Sequence, residues 1–170
     1  FTVYLGTGCL EGEQMGASCL QGGAEQVVNI AFLLTIHNNP EQVNLFLKQL
    51  LQYPASYVYI HVDAKSLGII PQLIQDERIY VVPRHIDVRW GDYTQIQAVN
   101  YLLGTAIEQR HHDFYSLHSG ADLLVRPVEE LIQYLQDTYY YGYYDCRRLP
   151  RDWAYRGGLG RIALRWPKCF

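Results

Sequence analysis

The sequence predicts an α/β fold, a mostly parallel sheet with flanking helices on both faces. Short, almost uninterrupted apolar runs recur along the chain, as in strands buried on both sides. Between them lie segments whose apolar residues repeat at helical spacing. Each run also ends in a polar cluster, as strands do where they deliver side chains to a ligand crevice.

The first strand is the run Asn29 to Ile36. Asn39 is suited to cap the helix that follows, Pro40 sits at its first position, and Gln42 is spaced to complete a capping box. Val43, Phe46, Leu47, Leu50 and Leu51 give that helix an apolar stripe, and Pro54 ends it. Tyr57 to Val62 is the second strand. A short helix is expected over Ile69 to Gln75, and Ile79 to Val82, closed by Pro83, is the third strand. Ile96, Val99, Leu103, Ala106 and Ile107 define a longer helix opened by Asp92 or Thr94. Phe114 to Leu117 is the fourth strand. Pro127 to Leu135 is a last helix with Val128, Leu131, Ile132 and Leu135 on one face.

Residues 1–28 hold six of the 14 glycines and no persistent period, so they read as a poorly structured N-terminal extension. Residues 29–170 read as one domain, without internal repeats.

Composition narrows the function. A chain of 170 residues that is 49% hydrophobic and 18% charged builds a core and is not of the disordered class. Its net charge of −3 excludes nucleic acid as the main partner. Only the stretch Arg147 to Lys168 is basic, which suits an anionic ligand such as a diphosphate. The four cysteines form no Cys-x-x-Cys pair, which argues against zinc, and reduced thiols are expected because a core of this size needs no staple. No run reaches the roughly 18 apolar residues of a membrane span. No signal-peptide pattern is present, although a chain starting at Phe1 leaves room for a leader or anchor upstream.

The strand ends carry the candidate chemistry. They are His37-Asn38, then Asp63-Ala64-Lys65, then Arg89-Trp90-Gly91-Asp92, then His118 to Asp122. Asp63 is placed to accept a ribose hydroxyl pair, and equally to cap a helix or pair with Lys65. Lys65 fits a phosphate, or solvent. Trp90 fits a stack on a base or sugar, against the commoner role of core filler. Gly91 allows close approach. His61 and Asp63 have the spacing of a metal pair on one strand face, but no third ligand is evident. His111 and His112 read as a solvated loop. No Gly-x-Gly-x-x-Gly, Walker loop or Gly-x-Ser-x-Gly elbow occurs, which weakens dehydrogenase, kinase and hydrolase readings. No Asp-x-Asp occurs either; Ala64 and Lys65 follow the acid instead.

Four blocks together resemble one known family. They are Ala31 to Asn38, Val58 to Ser66, Val88 to Gly91 with Gln97-Ala98, and Tyr115 to Asp122. In order and spacing they are similar to the core-2/I-branching family of β-1,6-N-acetylglucosaminyltransferases and peptide O-xylosyltransferases. The resemblance implies a GT-A-like, Rossmann-type fold, here incomplete at the C-terminus. It implies an inverting transferase that uses a UDP-sugar, with N-acetylglucosamine or xylose as the sugar, a glycan or protein as acceptor, and no metal or other cofactor. It places Ile36, His37 and Asn38 along the nucleotide pocket, Asp63, Ala64 and Lys65 against uridine and its ribose, and Trp90 and Gly91 beside the nucleotide. Ser119, Gly120 and Asp122 complete the donor side. Asp145, Arg148 and Arg161 fall, more loosely, on the acceptor side.

One departure is Asp122-Leu123-Leu124, where the family commonly has Asp-Tyr/Phe-Pro. The family's glutamate base and diphosphate-binding basic residues lie well downstream, whereas the last glutamate here is Glu130, on a helix. The chain is therefore expected to carry mainly the donor-binding half, with no catalytic residue assigned. Eukaryotic members sit in the Golgi membrane. Bacterial members lie in the cytoplasm or at a membrane, and the sparse cysteines fit that group; any membrane association would run through parts absent from this chain. A non-catalytic nucleotide-sugar-binding module and a generic nucleotide-binding α/β enzyme are the competing readings.

Overall fold

The computed structural model describes residues 4–6, 27–137 and 142–143. The strands are β1 (Tyr4–Gly6), β2 (Ile30–Ile36), β3 (Ser56–Val62), β4 (Ile79–Val81), β5 (Phe114–Ser119) and β6 (Gly142–Tyr143). The helices are α1 (Pro40–Leu50), α2 (Thr94–Gln109) and α3 (Val128–Asp137), and a 3-10 helix covers Ala64–Gln72.

The six strands form one sheet in the order β4-β3-β2-β5-β1-β6. The pairings β4–β3, β3–β2 and β2–β5 are parallel, while β1 is antiparallel to β5 and β6 is antiparallel to β1. The predicted α/β architecture is thus observed, with a Rossmann-like four-strand parallel core. Counted along the chain, those core strands stand in the order 3-2-1-4. The crossovers therefore diverge between β2 and β5, and a crevice opens at the carboxyl ends of those strands. Three residues of the stretch read as an extension, Tyr4–Gly6, add a strand to this sheet. A run that short carries no readable period.

Alternation along β2 divides the core. Ile30, Phe32, Leu34 and Ile36 face α1 and α3, packing with Val43, Phe46, Leu47 and Leu50 of α1 and Val128, Ile132 and Leu135 of α3. Ala31 and Leu33 face the other way, with Tyr59, Tyr115, Leu102 and Ala106. Burying each large apolar side chain contributes roughly 1.5–3 kcal/mol, so the α1 stripe alone anchors that layer. Asn39 caps α1 as expected, its Oδ1 accepting from Gln42 N–H at 3.3 Å. The Gln42 side chain does not close a capping box. Its Nε2 donates to Ala121 O at 2.7 Å, tying α1 to the loop after β5.

Three further expectations are corrected. The inward face of α2 is Ala98, Leu102 and Ala106, whereas Ile96 and Ile107 are exposed. The small alanines let the helix lie close to the sheet, and the bulkier side chains stand outward. The helix expected over Ile69 to Gln75 is instead the 3-10 segment. Pro71 lacks an N–H and blocks an α-helix there, and the Asp63 carboxylate caps the segment's start. His112 is not solvated. It is fully buried, with its Nε2 3.0 Å from Tyr59 Oη, among the rings of Tyr57, Tyr59 and Tyr115.

Candidate functional site

Register brings three residues of the α2-facing side into one row at the strand ends. Thr35 of β2 is opposite His61 of β3 and opposite Ser119 of β5. Above this row lies a cleft of about 250 Å³, also lined by Ile36, His37, Asp63, Val88, Gln95, Ala98 and Val99. The first turns of α2 form one wall, so the positive end of a 16-residue helix lies at the cleft. A larger hollow of about 370 Å³, lined by Val27, Tyr53 and Glu129 among others, opens at the opposite strand ends. Ligands of open α/β sheets bind at the carboxyl ends, and there the polar groups converge.

Asp63 anchors the cleft. Its N–H donates to Ile36 O at 2.9 Å, continuing the β2–β3 ladder by one residue. Its side chain is buried, and Oδ1 accepts from Lys65 N–H at 2.9 Å and pairs with Lys65 Nζ at 3.0 Å. Burial pushes the carboxyl up, but hydrogen bonds from the Lys65 backbone and ammonium, the Lys65 charge and the Val88 N–H together hold it below the ordinary carboxylate range. Lys65 Nζ also bonds Asp87 and, at 2.7 Å, Val88 O. Asp87 is the main cause that raises the lysine pKa. Arg89 Nε lies 3.8 Å from Asp87 Oδ2. The lysine is thus a rim residue shared between two carboxylates.

The segment from Pro83 to Val88 runs along the end of β3 as a strap. Val82 N–H donates to Ile60 O at 2.9 Å, His85 Nδ1–H to Val62 O at 3.0 Å, and Ala64 N–H to Ile86 O at 3.2 Å. Ile86 N–H donates to His61 Nε2 at 3.0 Å. A backbone N–H can only donate, so the proton of neutral His61 sits on Nδ1. Burial, then the neighbouring His85, lowers the pKa of His61. The His-x-Asp pair is therefore engaged within the protein: His61 holds Ile86 and Asp63 holds Lys65.

On the β5 side, Gly120 N–H donates to Thr35 O at 3.0 Å and Asp122 Oδ2 accepts from Ser119 N–H at 2.8 Å. Asp122 also faces His118 Nδ1 at 3.5 Å, and His118 Nε2 lies 2.6 Å from Ser116 Oγ. Ser116 is fully buried, so this Ser–His–Asp series braces the turn and presents no nucleophile.

Ile36, His37, Asp63 and Ser119 thus come together in the cleft. Lys65 and Ala64 stand at its rim. Gly120 and Asp122 shape the turn below it. Asn38 is exposed beyond β2, and Trp90 is 95% exposed on the loop before α2. Gly91 there has φ 72°, a left-handed conformation that glycine adopts without strain, and its N–H donates to Gln95 Oε1 at 3.2 Å. Asp145, Arg148 and Arg161, and all four cysteines, lie outside the described residues. The sequence reading missed Thr35, His61, Val88, Gln95, Ala98 and Val99 as lining residues. The strand period could have flagged Thr35 and His61, because both sit two residues before a predicted site residue or turn.

Fold and cleft together define a Rossmann-like α/β domain with a polar crevice at its switch point. No family model matches the chain. A xylosyltransferase of Ciona intestinalis is 24% identical over 113 residues, covering 64% of this chain and 13% of that protein. The similarity supports a relationship to glycosyltransferases and nothing finer. The chain spans only a small part of that relative's length. Among the described residues, no helix is long and apolar enough to cross a membrane.

Proposed function

We propose that the cleft binds the nucleotide of a UDP-sugar, and that the chain is the donor-binding part of an inverting glycosyltransferase that moves N-acetylglucosamine or xylose to a glycan or protein hydroxyl without a metal. The observation that carries this reading is Asp63, a buried, ionised carboxylate at the end of β3 on the edge of the switch-point cleft. A ribose diol donates to such a carboxylate. The weak likeness to a xylosyltransferase supports the same direction.

In this reading the uracil ring enters between Ile36, His37 and the α2 wall, and Lys65 exchanges Asp87 for a phosphate oxygen. The positive end of α2 adds to the charge that offsets the diphosphate. Inversion needs a general base to take the proton of the attacking hydroxyl. Asp63 is a poor one, because its hydrogen bonds lower its basicity. The isolated chain is therefore expected to bind UDP weakly and to transfer sugar poorly or not at all.

Thermal shift and calorimetry with UDP, CDP, ADP and NAD, each with and without EDTA, test this. Stabilisation by UDP that EDTA leaves unchanged is the expected result. Response to NAD alone would overturn it. Detected transfer would restore the full enzyme to these 170 residues.

A further inference from the structure

We propose that His61 is a positioning residue: as a neutral hydrogen-bond acceptor it latches the 83–88 strap onto the end of β3 and so holds one wall of the nucleotide cleft in place. The inference rests on the reading of the cleft as a nucleotide site, and it gives His61 a role other than the metal pairing that its spacing with Asp63 suggested.

The strap supplies Val88 to the cleft lining and Asp87 and Val88 O to Lys65. It also supplies the Val88 N–H, which adds to the larger Lys65 contacts that hold the Asp63 carboxyl low. These contacts depend on where the backbone of residues 86–88 lies. Two backbone bonds and two histidines set that position. Of the histidines, His85 donates through Nδ1 to Val62 O, whereas His61 accepts through Nε2 from Ile86 N–H. Only the second bond requires a free lone pair. A proton added at His61 Nε2 would set two donors against each other and place a charge on a fully buried ring.

The ring's surroundings offset that charge only weakly. From the strap it faces His85, and along its own strand Asp63, whose carboxylate is already neutralised by Lys65. Thr35 of β2 and Gln95, Ala98 and Val99 of α2, across the cleft, carry no titratable group. Burial and His85 together therefore keep the imidazole neutral through the neutral range. The latch stays closed at and above the ordinary histidine pKa and opens only as pH falls below it.

The test uses two substitutions and two readouts on the whole chain. His61→Gln places an amide oxygen near the position of Nε2 and does not titrate. His61→Leu removes the acceptor. Hydrogen exchange by NMR reports the protection of the Ile86 amide, with the Leu33 amide of β2 as control for global opening. Calorimetry reports UDP affinity.

Protection at Ile86 in the native chain is expected to be constant at and above the ordinary histidine pKa of about 6.5 and to fall only below it, while Leu33 is unchanged. His61→Gln should hold its protection flat across that range. His61→Leu should lose roughly 10-fold or more at every pH, as for an orphaned N–H, and UDP affinity should follow the same pattern. Wild-type protection and UDP affinity in His61→Leu would overturn the proposal. So would a His61→Gln profile that titrates like the native one, a comparison that survives even if the leucine variant fails to fold. Should no chain bind UDP while the Ile86 pattern appears as expected, the latch stands and the nucleotide reading fails.

Discussion

Gly120 packs directly on Ile36: a β-carbon at position 120 would lie 2.8 Å from Ile36 Cγ2 and 3.2 Å from both Ile36 Cβ and Val43 Cγ2. Ile36 ends β2 and Val43 lies in the first turn of α1, so neither can move aside without shifting an element of the core. Gly120→Ala is expected to destabilise the domain by about 1–3 kcal/mol, measured by urea denaturation at neutral pH. Because the turn carries Ser119 into the cleft, nucleotide affinity should fall with it. A variant as stable as the native chain would show that the β2–β5 crevice is softer than its packing implies.

Trp90 presents the opposite case. An indole that is 95% exposed contributes almost nothing to the core, and the proposed function gives it a ligand ring to stack on. Trp90→Ala should leave the melting temperature within a degree or so of native, consistent with surface substitutions of ±0.5 kcal/mol. Affinity for a UDP-sugar should drop roughly 5-fold or more. Equal affinities for the two chains, by calorimetry, would remove Trp90 from the site.

The architecture was legible because its signals are periodic. The run Asn29 to Ile36 reads as a strand buried on both faces, and Ile30 to Leu34 are buried without a break. The clusters after Ile36, Val62 and Leu117 were legible because parallel strands carry their loops to one end. The strap was not legible. Arg84 to Val88 follow no period, and their position depends on bonds from His61, Ala64 and Lys65 that only the fold brings within reach. Burial of His112 was hidden for a similar reason: a His-His pair between polar neighbours reads as solvent-facing until Tyr57, Tyr59 and Tyr115 close around it. The packing face of α2 was misplaced because period alone cannot say whether alanines or isoleucines face a sheet.

Asp63 gives a stability test whose sign follows from its partners. Its pKa is lower folded than unfolded. Its ionised form therefore stabilises the fold fully above the unfolded carboxylate pKa of about 3.9, and that contribution is lost as pH falls through the lower folded value. Asp63→Asn should be less stable than the native chain at pH 7, by roughly 1–3 kcal/mol for a buried, charge-assisted acceptor. The gap should narrow only below about pH 4, as the native carboxyl itself takes up a proton. Denaturation midpoints from pH 7 downward check this, and a gap that closed already near pH 6 would assign the effect to another group.

His112 produces a separate dependence at higher pH. Burial first, then the Arg110 and His111 charges, lower its pKa to about 4. The unfolded chain protonates histidine near 6.5, so between those values the unfolded state binds more protons than the folded one. Stability from this residue is therefore complete above about pH 6.5 and declines as pH falls towards about 4, where it levels off. His112→Phe keeps a ring among the tyrosines but cannot titrate. It should lose some stability at pH 7, because Tyr59 Oη loses its partner at Nε2. Between pH 7 and pH 5 its midpoint should fall less steeply than that of the native chain. His61 and His118, whose pKa values are lowered too, leave part of the slope in place. Parallel slopes for the two chains would mean that His112 exchanges its proton in the folded state as freely as in the unfolded one.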